Sequence, residues 1–364
     1  MSVNNRRYMM KICTIIGTRP EIIKMAPIIR VCEKKDLQNI IIHTGQHYNF
    51  NMDKIFFEEL RLPNPHYNLN IGSGTQGEQT SKIISRVEKA LLDEKPDVIL
   101  VQGDTNTVLG ASLAAVKLNI KIGHVEAGLR SFDRNMPEEI NRVLTDHIAS
   151  YLYSPTIVAS KNLINEGISQ DNIFLTGNTI VDAIFQHTKY AKEIELPFPL
   201  KGDYLLVTIH RAENVDDPER LKNILSGLRK ISSLYSYEII LPIHPRTKNM
   251  IEKNHISTGT INIIEPLGYL PFLKLLMMAK LVLTDSGGVQ EESCILGVPC
   301  ITLRENTERP ETIEVGANVL VGFNQEKIIS AVPHMLNKKR EWDNPFGDGR
   351  SGEKIINHLI QNYS

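Results

Sequence analysis

The sequence has few cysteines, no metal-binding spacings and no excess of either sign of charge, and each of these features excludes a class of protein. The four cysteines among the 364 residues show no Cys-x-x-Cys spacing and lie in apolar segments, which predicts buried free thiols in a reducing cytoplasm. With 41 basic and 42 acidic residues, the chain has no basic excess for a nucleic-acid partner. No group of histidine, cysteine and acidic residues has metal-ligand spacing, so no metal is predicted.

Long apolar runs are absent as well. No run approaches the ~20 residues that a membrane-spanning helix needs, so no membrane partner is predicted. The first apolar run, residues 11–16, is cut short by Gly17 and Arg19, which predicts a strand and not a signal peptide. A hydrophobic fraction of 41% and a charged fraction of 23% are typical of an ordinary globular protein, and the length favours two domains.

Short apolar runs alternate with helical patterns along the chain, which predicts two α/β domains with parallel sheets. The alternation begins with a strand at residues 11–16 and starts again at residues 204–209. Between them, residues 193–199 hold two prolines and two glutamates, which is typical of a linker. Later strands are predicted at residues 173–175 in the first half and near 238–242 and 281–284 in the second. We expect a cleft between the domains. The predicted segments are an N-terminal domain over residues 1–192, a C-terminal domain over 200–349 and a terminal helix within 350–364.

Residues 97–142 hold the densest group of candidate catalytic side chains. Two apolar runs end near Asp104 and Glu126, and a helix predicted to begin at Pro137 carries Glu138 in its first turn. Ligands of an open parallel sheet bind beyond the carboxyl ends of its strands, so these acids are expected at one crevice. A single acid at a helix start is more often a cap than a catalyst. Three acids within one short stretch favour acid–base catalysis.

The turn after the first strand is a candidate anion site. It leads into a helix, whose free amide N–H groups favour an anion, and Arg19 and Lys24 add positive charge. The alternative is a plain turn with two solvated basic residues. Residues 72–77 match the Gly-x-Gly-x-x-Gly pattern of dinucleotide sites, but they do not follow the first strand of a domain. A flexible loop is predicted there.

The second half of the chain has its own candidate phosphate contacts. A lone histidine is usually a packing residue, but His210 and His244 end neighbouring predicted strands, and arginines lie close to both. Residues 284–292 form the sharpest motif of this half. Ser286 is expected to cap a helix, Gly287 and Gly288 allow a backbone to approach phosphate, and an acid one turn later is placed for ribose hydroxyls. A charged turn at residues 308–311 is expected near the same site.

Together these motifs resemble the non-hydrolysing UDP-N-acetylglucosamine 2-epimerases. The resemblance runs from about residue 11 to the terminal helix, and several motifs in the right order make it specific. They stand here at residues 17–21, 103–105, 124–130, 137–139, 210–214, 244–245 and 286–288.

The resemblance implies a glycosyltransferase-B-like fold of two Rossmann-like domains, a cytoplasmic homodimer, no bound redox cofactor, and a terminal helix that returns to the first domain. UDP-N-acetylglucosamine and UDP are the implied small-molecule partners. The implied catalytic residues are Asp104, Glu126, Glu138 and His210. The implied substrate-binding residues are Arg19, Lys24, His244, Ser286, Gly287, Gly288, Glu292 and Arg309.

The chemistry implied by the resemblance suits these residues. The C2 hydrogen of a hexosamine is not next to a carbonyl group, so a base cannot simply remove it. If UDP leaves from C1 while a carboxylate takes the C2 proton, 2-acetamidoglucal forms. Protonation from the other face and re-addition of UDP give UDP-N-acetylmannosamine. Carboxyl groups of differing protonation are needed on both faces, and basic groups would stabilise the departing diphosphate.

One departure from the family pattern concerns an activator site. Bacterial members are similar in having a Gln-His pair after the second strand and an Arg-Gln pair further on, which bind a second UDP-N-acetylglucosamine. Here Gln46 and His47 match the first pair, whereas Thr75 precedes Gln76 in the second. The missing arginine predicts a hyperbolic dependence on substrate.

Several rival functions remain open at this stage. A glycosyltransferase of the same fold would share the UDP site but would need an acceptor and would not use three acids. A hydrolysing epimerase would release free N-acetylmannosamine, and a nucleotide-sugar sensor would bind without turnover. Related epimerases act on diacetamido-uronic acid or 6-deoxy sugars, and the sequence does not distinguish the sugar.

Overall fold

A computed structural model describes residues 10–46 and 50–363 of the chain. The backbone divides into two compact units, one formed by Met1–Ala183 with Phe346–Ser364 and the other by Ile184–Pro345. Both are α/β units with parallel sheets, so the predicted fold class is confirmed. The division falls inside a helix that precedes the predicted linker. The last residues of the chain belong to the first unit, as described below.

The first unit contains a seven-stranded parallel sheet. Its strands are β1 (Lys11–Ile16), β2 (Gln38–His43), β3 (Tyr67–Asn68), β4 (Val98–Gln102), β5 (Lys121–Val125), β6 (Tyr151–Ser154) and β7 (Ile173–Leu175). The strand order is β3-β2-β1-β4-β5-β6-β7. The inner strands are continuous apolar runs because both of their faces are covered. The predicted bounds of β1 and β7 are confirmed, whereas the two-residue β3 was not predicted.

Helices cover this sheet. They are α1 (Arg19–Lys34), α2 (Phe50–Glu59), α3 (Gln76–Glu94), α4 (Asn106–Lys117), α5 (Pro137–Ile148), α6 (Ile157–Asn165) and α7 (Thr179–Glu193). The core under α3 and α4 is built from aliphatic side chains of β1, β2, β4 and β5. Helix α1 continues through Pro27.

The second unit repeats the same design with a six-stranded parallel sheet. Its strands are β8 (Tyr204–Thr208), β9 (Glu238–Pro242), β10 (Asn262–Ile264), β11 (Leu281–Thr284), β12 (Cys300–Thr302) and β13 (Asn318–Leu320). The order is β10-β9-β8-β11-β12-β13. Its helices are α8 (Ala212–Val215), α9 (Pro218–Tyr235), α10 (Pro245–Lys253), α11 (Tyr269–Met278), α12 (Gly287–Ile295), α13 (Pro310–Glu314) and α14 (Gln325–Leu336).

The terminal helix α15 (Ser351–Gln361) packs against α1 in the first unit. Its first turn is held by Asp182, a buried acid of α7, which accepts the backbone N–H groups of Ser351 at 3.1 Å and Gly352 at 2.9 Å. Two orphan donors at the start of the helix are thereby satisfied. Across residues 10–46 and 50–363, no helix has the length and apolar character needed to cross a membrane.

Candidate active site

Both sheets reverse their strand order once, and the candidate residues lie at these two points. In the first unit the chain leaves β1 toward β2 and later returns beside β1 with β4. In the second unit the reversal lies between β8 and β11. Ligands of open parallel sheets bind outside the strand ends at such a reversal. Asp104 follows β4 and His210 follows β8, so the predicted catalytic residues occupy the expected edge of each sheet.

Asp104 is held by Arg142 of α5, the helix that also carries Glu138. Arg142 of α5 donates from Nε to Asp104 Oδ2 at 3.2 Å, and its Nη2 forms a second, shorter contact with the same oxygen. The Asp104 side chain remains 31% exposed. Asn141, the neighbour of Arg142, donates to the Asp104 backbone carbonyl at 3.0 Å. The carboxylate is therefore held in place by α5, and part of it stays exposed to a ligand.

Glu138 stands at the start of α5, directly after Pro137. Its side chain is half-exposed. Among the described residues, none forms a hydrogen bond or ion pair with its carboxyl group. The positive end of the helix dipole favours a negative charge at this position. This acid has no structural partner to explain it, in contrast to the neighbouring Glu139. Glu139 is buried and accepts the backbone N–H groups of Ser131 at 3.0 Å and Phe132 at 2.9 Å.

Glu126 is the most deeply held of the three candidate acids. Its backbone has φ of 70°, an uncommon value for a residue other than glycine that indicates local strain. Lys24 Nζ lies 2.7 Å from Glu126 Oε1, and both side chains are buried. Asn178 donates to the same oxygen at 3.3 Å, and Gln102 donates to Oε2. The structure thus brings together Lys24 and Glu126, which were predicted separately as a phosphate contact and an acid–base residue.

The predicted anion site at the turn after β1 differs from expectation in one respect. The N–H groups of Gly17 and Thr18 donate to Glu21 Oε2, the second at 3.1 Å, and Thr105 Oγ1 donates to Glu21 Oε1 at 2.5 Å. These amides are therefore occupied by a carboxyl group of the same helix, as in a capping box, and are not free for an external anion. Arg19 packs its guanidinium over the Phe56 ring at 5.0 Å.

Glu21 is buried, and burial raises its pKa to about 7 despite the hydrogen bonds from Thr105, Gly17 and Thr18. The folded protein therefore binds this proton more tightly than the unfolded chain, whose pKa is near 4.5. The resulting stabilisation is complete below about pH 4.5 and is lost as the pH rises through about 7, by about 3 kcal/mol in all.

We expect Glu21→Gln to remove this pH dependence. The glutamine oxygen can accept both amides, and Thr105 can donate or accept. The variant should therefore gain free energy of unfolding relative to the wild type between pH 5 and pH 8, by about 2–3 kcal/mol. Urea denaturation at both pH values measures the difference. A difference between variant and wild type that is the same at pH 5 and pH 8 contradicts the prediction.

In the second unit, one buried acid organises the predicted catalytic histidine. Asp285 follows β11 and accepts the backbone N–H groups of His210 at 3.1 Å and Arg211 at 3.0 Å. His210 Nδ1 lies 3.0 Å from Asp285 Oδ1, and Asn214 donates to Oδ2 at 3.2 Å. With Nδ1 directed to the carboxylate, the Nε2 atom of His210 is left for a ligand, and the side chain is 44% exposed.

The residues from Ser286 to Gly288 start helix α12, as predicted. Ser286 is the N-cap residue of α12, the predicted position, but its side chain does not accept a helix N–H. A Cβ atom at Gly287 would lie 2.5 Å from Glu308 Oε1, whereas one at Gly288 would meet nothing nearer than Ser286 Oγ at 3.9 Å. Contacts within the protein thus explain why residue 287 is a glycine, but they do not explain the glycine at residue 288. A ligand that approaches the helix start would explain Gly288.

These two glycines provide a matched pair of variants. Gly288→Ala should weaken UDP binding at least tenfold, because a methyl group would intrude where diphosphate is predicted, while the free energy of unfolding stays unchanged or rises by up to ~1 kcal/mol. Gly287→Ala should lower stability through the contact with Glu308. Isothermal titration with UDP and thermal denaturation measure the two effects. Equal UDP affinity in Gly288→Ala and the wild type would remove this helix start from the nucleotide site.

Arg309, predicted to contact substrate, is ion-paired inside the second unit. Its Nε lies 2.5 Å from Glu291 Oε1, and both side chains are buried. Burial alone would raise the pKa of the neighbouring Glu308, but the charges of Arg309, Arg304 and Arg211 hold that pKa at about 2. This network contacts α12 at Glu291 and near Gly287, and so holds the start of that helix in place.

The remaining substrate-binding candidates of this unit lie within α12 and at the start of α10. Glu292 lies on α12 and is 9% exposed. His244 is the N-cap residue of α10, is exposed, and accepts the N–H of Arg246 through Nδ1 at 3.2 Å. Across the described parts of the chain, no group of three or more histidine, cysteine and acidic residues could hold a metal ion.

Two of the candidate activator residues contact the helix that follows Asp104. Gln46 Oε1 accepts the N–H of Thr107 at 3.0 Å, and Gln76 Oε1 accepts Asn106 Nδ2 at 2.6 Å. His47 lies outside the described residues. Thr75 caps α3 by accepting the Glu78 N–H at 3.3 Å, which is a structural use for the residue that replaces arginine.

Sequence reasoning missed several residues of the two sites. Glu21 and Asp285 lie in the motifs at residues 17–21 and 284–292, but no role was predicted for either. An acid at the third helix position after threonine is the signature of a capping box, so Glu21 had a signal that pointed to its hydrogen bonds. Gln102 and Asn178 contact Glu126 across 24 and 52 residues of sequence, and no local pattern announces such contacts.

Comparison with known proteins identifies the family. A family model described as UDP-N-acetylglucosamine 2-epimerase matches residues 30–360. The UDP-N-acetylglucosamine 2-epimerase of Methanocaldococcus jannaschii is 62% identical over 361 residues, which cover 96% of this chain and 99% of that protein. The UDP-2,3-diacetamido-2,3-dideoxy-D-glucuronate 2-epimerase of Pseudomonas aeruginosa is 43% identical over 359 residues, which cover 97% and 100%.

A solved structure of this family is also similar to the chain. The crystal structure of the Methanocaldococcus jannaschii UDP-GlcNAc 2-epimerase in complex with UDP-GlcNAc and UDP has a TM-score of 0.91 and 61% identity to this chain, and the match covers 97% of this chain and 100% of that one. The similarity includes both α/β units, and it confirms the predicted resemblance. The chain belongs to the UDP-N-acetylglucosamine 2-epimerase family.

Proposed function

We propose that the protein catalyses the reversible C2 epimerisation of UDP-N-acetylglucosamine to UDP-N-acetylmannosamine. In the first step a carboxylate takes the C2 proton as the C1–O bond breaks, so that UDP departs with the bonding electrons and 2-acetamidoglucal remains. In the second step UDP adds back to C1 and a carboxyl group protonates C2 from the opposite face. Atoms and electrons balance without a redox cofactor.

The observation that carries this proposal is the position of three acids in the first unit. Asp104 follows β4 beside the strand-order reversal, Glu126 follows the neighbouring β5, and Glu138 lies in the first turn of α5, whose Arg142 contacts Asp104. Each has a different environment: Asp104 contacts Arg142, Glu126 contacts Lys24, and Glu138 has no partner among the described residues. Proton removal and proton return on opposite faces of one carbon need two carboxyl groups that differ in their environment. A sugar-transfer enzyme would have no use for such a set.

The second unit would supply the nucleotide site. We propose that the start of α12, with Ser286, Gly287 and Gly288, receives the diphosphate and that Glu292 accepts the ribose hydroxyls. Backbone N–H groups at a helix start favour a phosphate. His210, oriented by Asp285, would stabilise the negative charge that develops on UDP as it leaves. Arg19 and His244 would add contacts to the nucleotide.

Proton NMR of the protein incubated with UDP-N-acetylglucosamine in D₂O tests the reaction without any acceptor. The expected product is UDP-N-acetylmannosamine with deuterium at C2, together with slow release of 2-acetamidoglucal. The purified protein should show no nicotinamide absorbance. Unchanged substrate would indicate a sensor or a glycosyltransferase, and free N-acetylmannosamine with UDP would indicate a hydrolysing epimerase. A product without deuterium would overturn the elimination mechanism.

UDP-N-acetylglucosamine is our proposed substrate in preference to a related acetamido sugar. The relative named for UDP-N-acetylglucosamine is 62% identical and the one named for the diacetamido-glucuronate sugar is 43% identical. Initial rates with both UDP sugars at equal concentration test this choice. A higher kcat/KM for the diacetamido-uronate substrate would reverse it.

We also propose a homodimer that works in the cytoplasm. Helix α5 exposes two aliphatic side chains one turn apart, Ile140 at 37% and Leu144 at 47%, and a second copy of the chain would cover them. The four cysteines are free and buried, which agrees with a reducing compartment. Analytical ultracentrifugation of the wild type and Leu144→Lys tests the dimer, since a charge at this face should lower the mass to that of one chain.

The activator site stays a prediction. Gln46 and Gln76 both contact the first turn of α4, next to Asp104, so a ligand at these residues could act on the catalytic acid. The absence of the arginine found in bacterial relatives still favours a hyperbolic dependence on UDP-N-acetylglucosamine. Reverse turnover that shows a lag, abolished by traces of UDP-N-acetylglucosamine, would contradict this expectation.

A further inference from the structure

A buried carboxylate on α5 connects the two turns that carry Asp104 and Glu126. Asp146 Oδ1 lies 2.6 Å from His124 Nδ1, and the Nε2 atom of the same ring lies 2.8 Å from the carbonyl oxygen of Gly103. The side chains of Asp146 and His124 are 0% exposed. The hydrogen-bond path from Asp146 therefore ends on the peptide group directly before Asp104.

The other oxygen of Asp146 holds the turn after β5. Asp146 Oδ2 accepts the backbone N–H of Gly128 at 3.1 Å and lies 2.7 Å from Arg130 Nη1. Gly128 has φ of 86°, and a Cβ atom there would lie 2.3 Å from the carbonyl oxygen of Ala159, so the turn is tightly fitted. This turn begins with the strained backbone of Glu126. Strain of this kind persists only where neighbouring contacts hold it.

The charges of this network are balanced. Arg130 also forms two contacts of 2.7 Å with Glu166, so two acids face two basic groups. Burial opposes ionisation of Asp146, but the charges of His124 and Arg130 hold its pKa below the ordinary value. Both ring nitrogens of His124 face acceptor oxygens, one of which is a carbonyl that cannot donate. The Nε2 atom must therefore donate to this carbonyl, while Nδ1 faces the carboxylate of Asp146.

We propose that Asp146 and His124 are positioning residues, which together set the turns that carry Asp104 and Glu126 at a fixed distance from each other. The proposal rests on the proposed function, because it gives these turns a catalytic purpose. Neither side chain is exposed, so neither touches substrate. Both catalytic acids must be aligned with the two faces of one carbon, and a displacement of about 1 Å can cost on the order of 10²-fold in rate.

The test is the ratio of released 2-acetamidoglucal to UDP-N-acetylmannosamine, measured by proton NMR for Asp146→Asn. Misaligned acids slow the return of the proton, so the intermediate escapes more often. We expect the ratio to rise at least fivefold and kcat to fall about tenfold or more. UDP affinity should stay within twofold, because the proposed UDP contacts lie in the other unit except for Arg19, which Asp146 does not contact. Since it is a ratio, it does not depend on the folded fraction of the preparation.

Asp182→Asn is the matched control. Asp182 is also a buried acid of the first unit, but its amide partners belong to α15 and not to the catalytic turns. The control should lower the melting temperature and leave the ratio unchanged. If Asp146→Asn is insoluble, His124→Gln, whose amide can still donate to Gly103, should raise the ratio by a smaller factor.

Three results would overturn the positioning role: a wild-type ratio in Asp146→Asn, a wild-type ratio in His124→Gln when the first variant does not fold, or an equal rise in the Asp182→Asn control. Failure of the wild type itself to convert UDP-N-acetylglucosamine would instead refute the proposed function.

Discussion

Glu138→Gln is expected to lower kcat by at least ~10²-fold, the usual size of a lost general acid–base contribution. No described residue pairs with this carboxyl group, so within residues 10–46 and 50–363 the substitution removes no hydrogen bond or ion pair. Its free energy of unfolding should stay within about 0.5 kcal/mol of the wild type, and UDP affinity should not change. A large loss of turnover at unchanged stability and binding would be direct evidence for a role in proton transfer.

The same substitution elsewhere supplies the control. Glu219 of α9 follows Pro218 in the first helical turn, as Glu138 follows Pro137 in α5, and it is exposed in the second unit. Glu219→Gln removes an equivalent interaction with a helix dipole but should leave kcat unchanged. Near wild-type turnover of Glu138→Gln would remove this residue from the catalytic set. Asp104→Asn should match the loss of turnover and also reduce stability, since Arg142 loses one of its two carboxylate partners and keeps Glu139.

The fold could be predicted from sequence to the extent that it depends on local patterns. Buried parallel strands need continuous apolar runs, so β1, β7, β9 and β11 were placed with their observed bounds. The two-residue β3 and the three-residue β13 were not predicted, because pairing with a neighbouring strand decides their conformation and their own sequences are too short to show a period.

The site could be predicted only in part for the same reason. Strand ends and helix starts place Asp104, Glu126, Glu138 and His210 at the sheet edges, and those positions follow from the pattern of elements. Partners do not follow from it. Lys24 was expected beside an anion because it stands near a helix start, but the side chain instead contacts Glu126, which lies 102 residues further along the chain. Only the packing of α1 against the sheet decides that contact.

The position of Glu21 shows a second limit. The turn after β1 has the composition of an anion site, and local reasoning counts its amides as free. The chain satisfies them with its own carboxyl group, three and four residues further on. An internal carboxylate and an external phosphate satisfy the same N–H groups, so the same sequence signal supports both interpretations. The packing of α1 decides between them, because Glu21 is buried against Thr105 and not directed to solvent.

Lys24→Met is expected to lower the free energy of unfolding by about 3–5 kcal/mol, since it leaves the carboxylate of Glu126 buried without its counter-charge. The two side chains are only 9% and 4% exposed, so water cannot replace the lost partner. Glu126→Gln should also lower the free energy of unfolding, because the buried Lys24 then loses the negative charge at 2.7 Å. Each single variant should also lose at least ~10²-fold in kcat, one through the acid itself and the other through its altered charge state.

The double variant Lys24→Met/Glu126→Gln separates the two contributions. Removing both charges abolishes the unpaired buried ion, so the stability of the double variant should exceed that of either single variant, with a coupling energy of about 2–3 kcal/mol. Turnover should not recover, because the acid–base group is still missing. Urea denaturation and initial rates measure the two quantities on the same four proteins. Additive losses of stability would show that the ion pair is not coupled as its 2.7 Å geometry requires. Recovery of kcat in the double variant would show that Glu126 acts only as the counter-charge of Lys24 and takes no part in proton transfer.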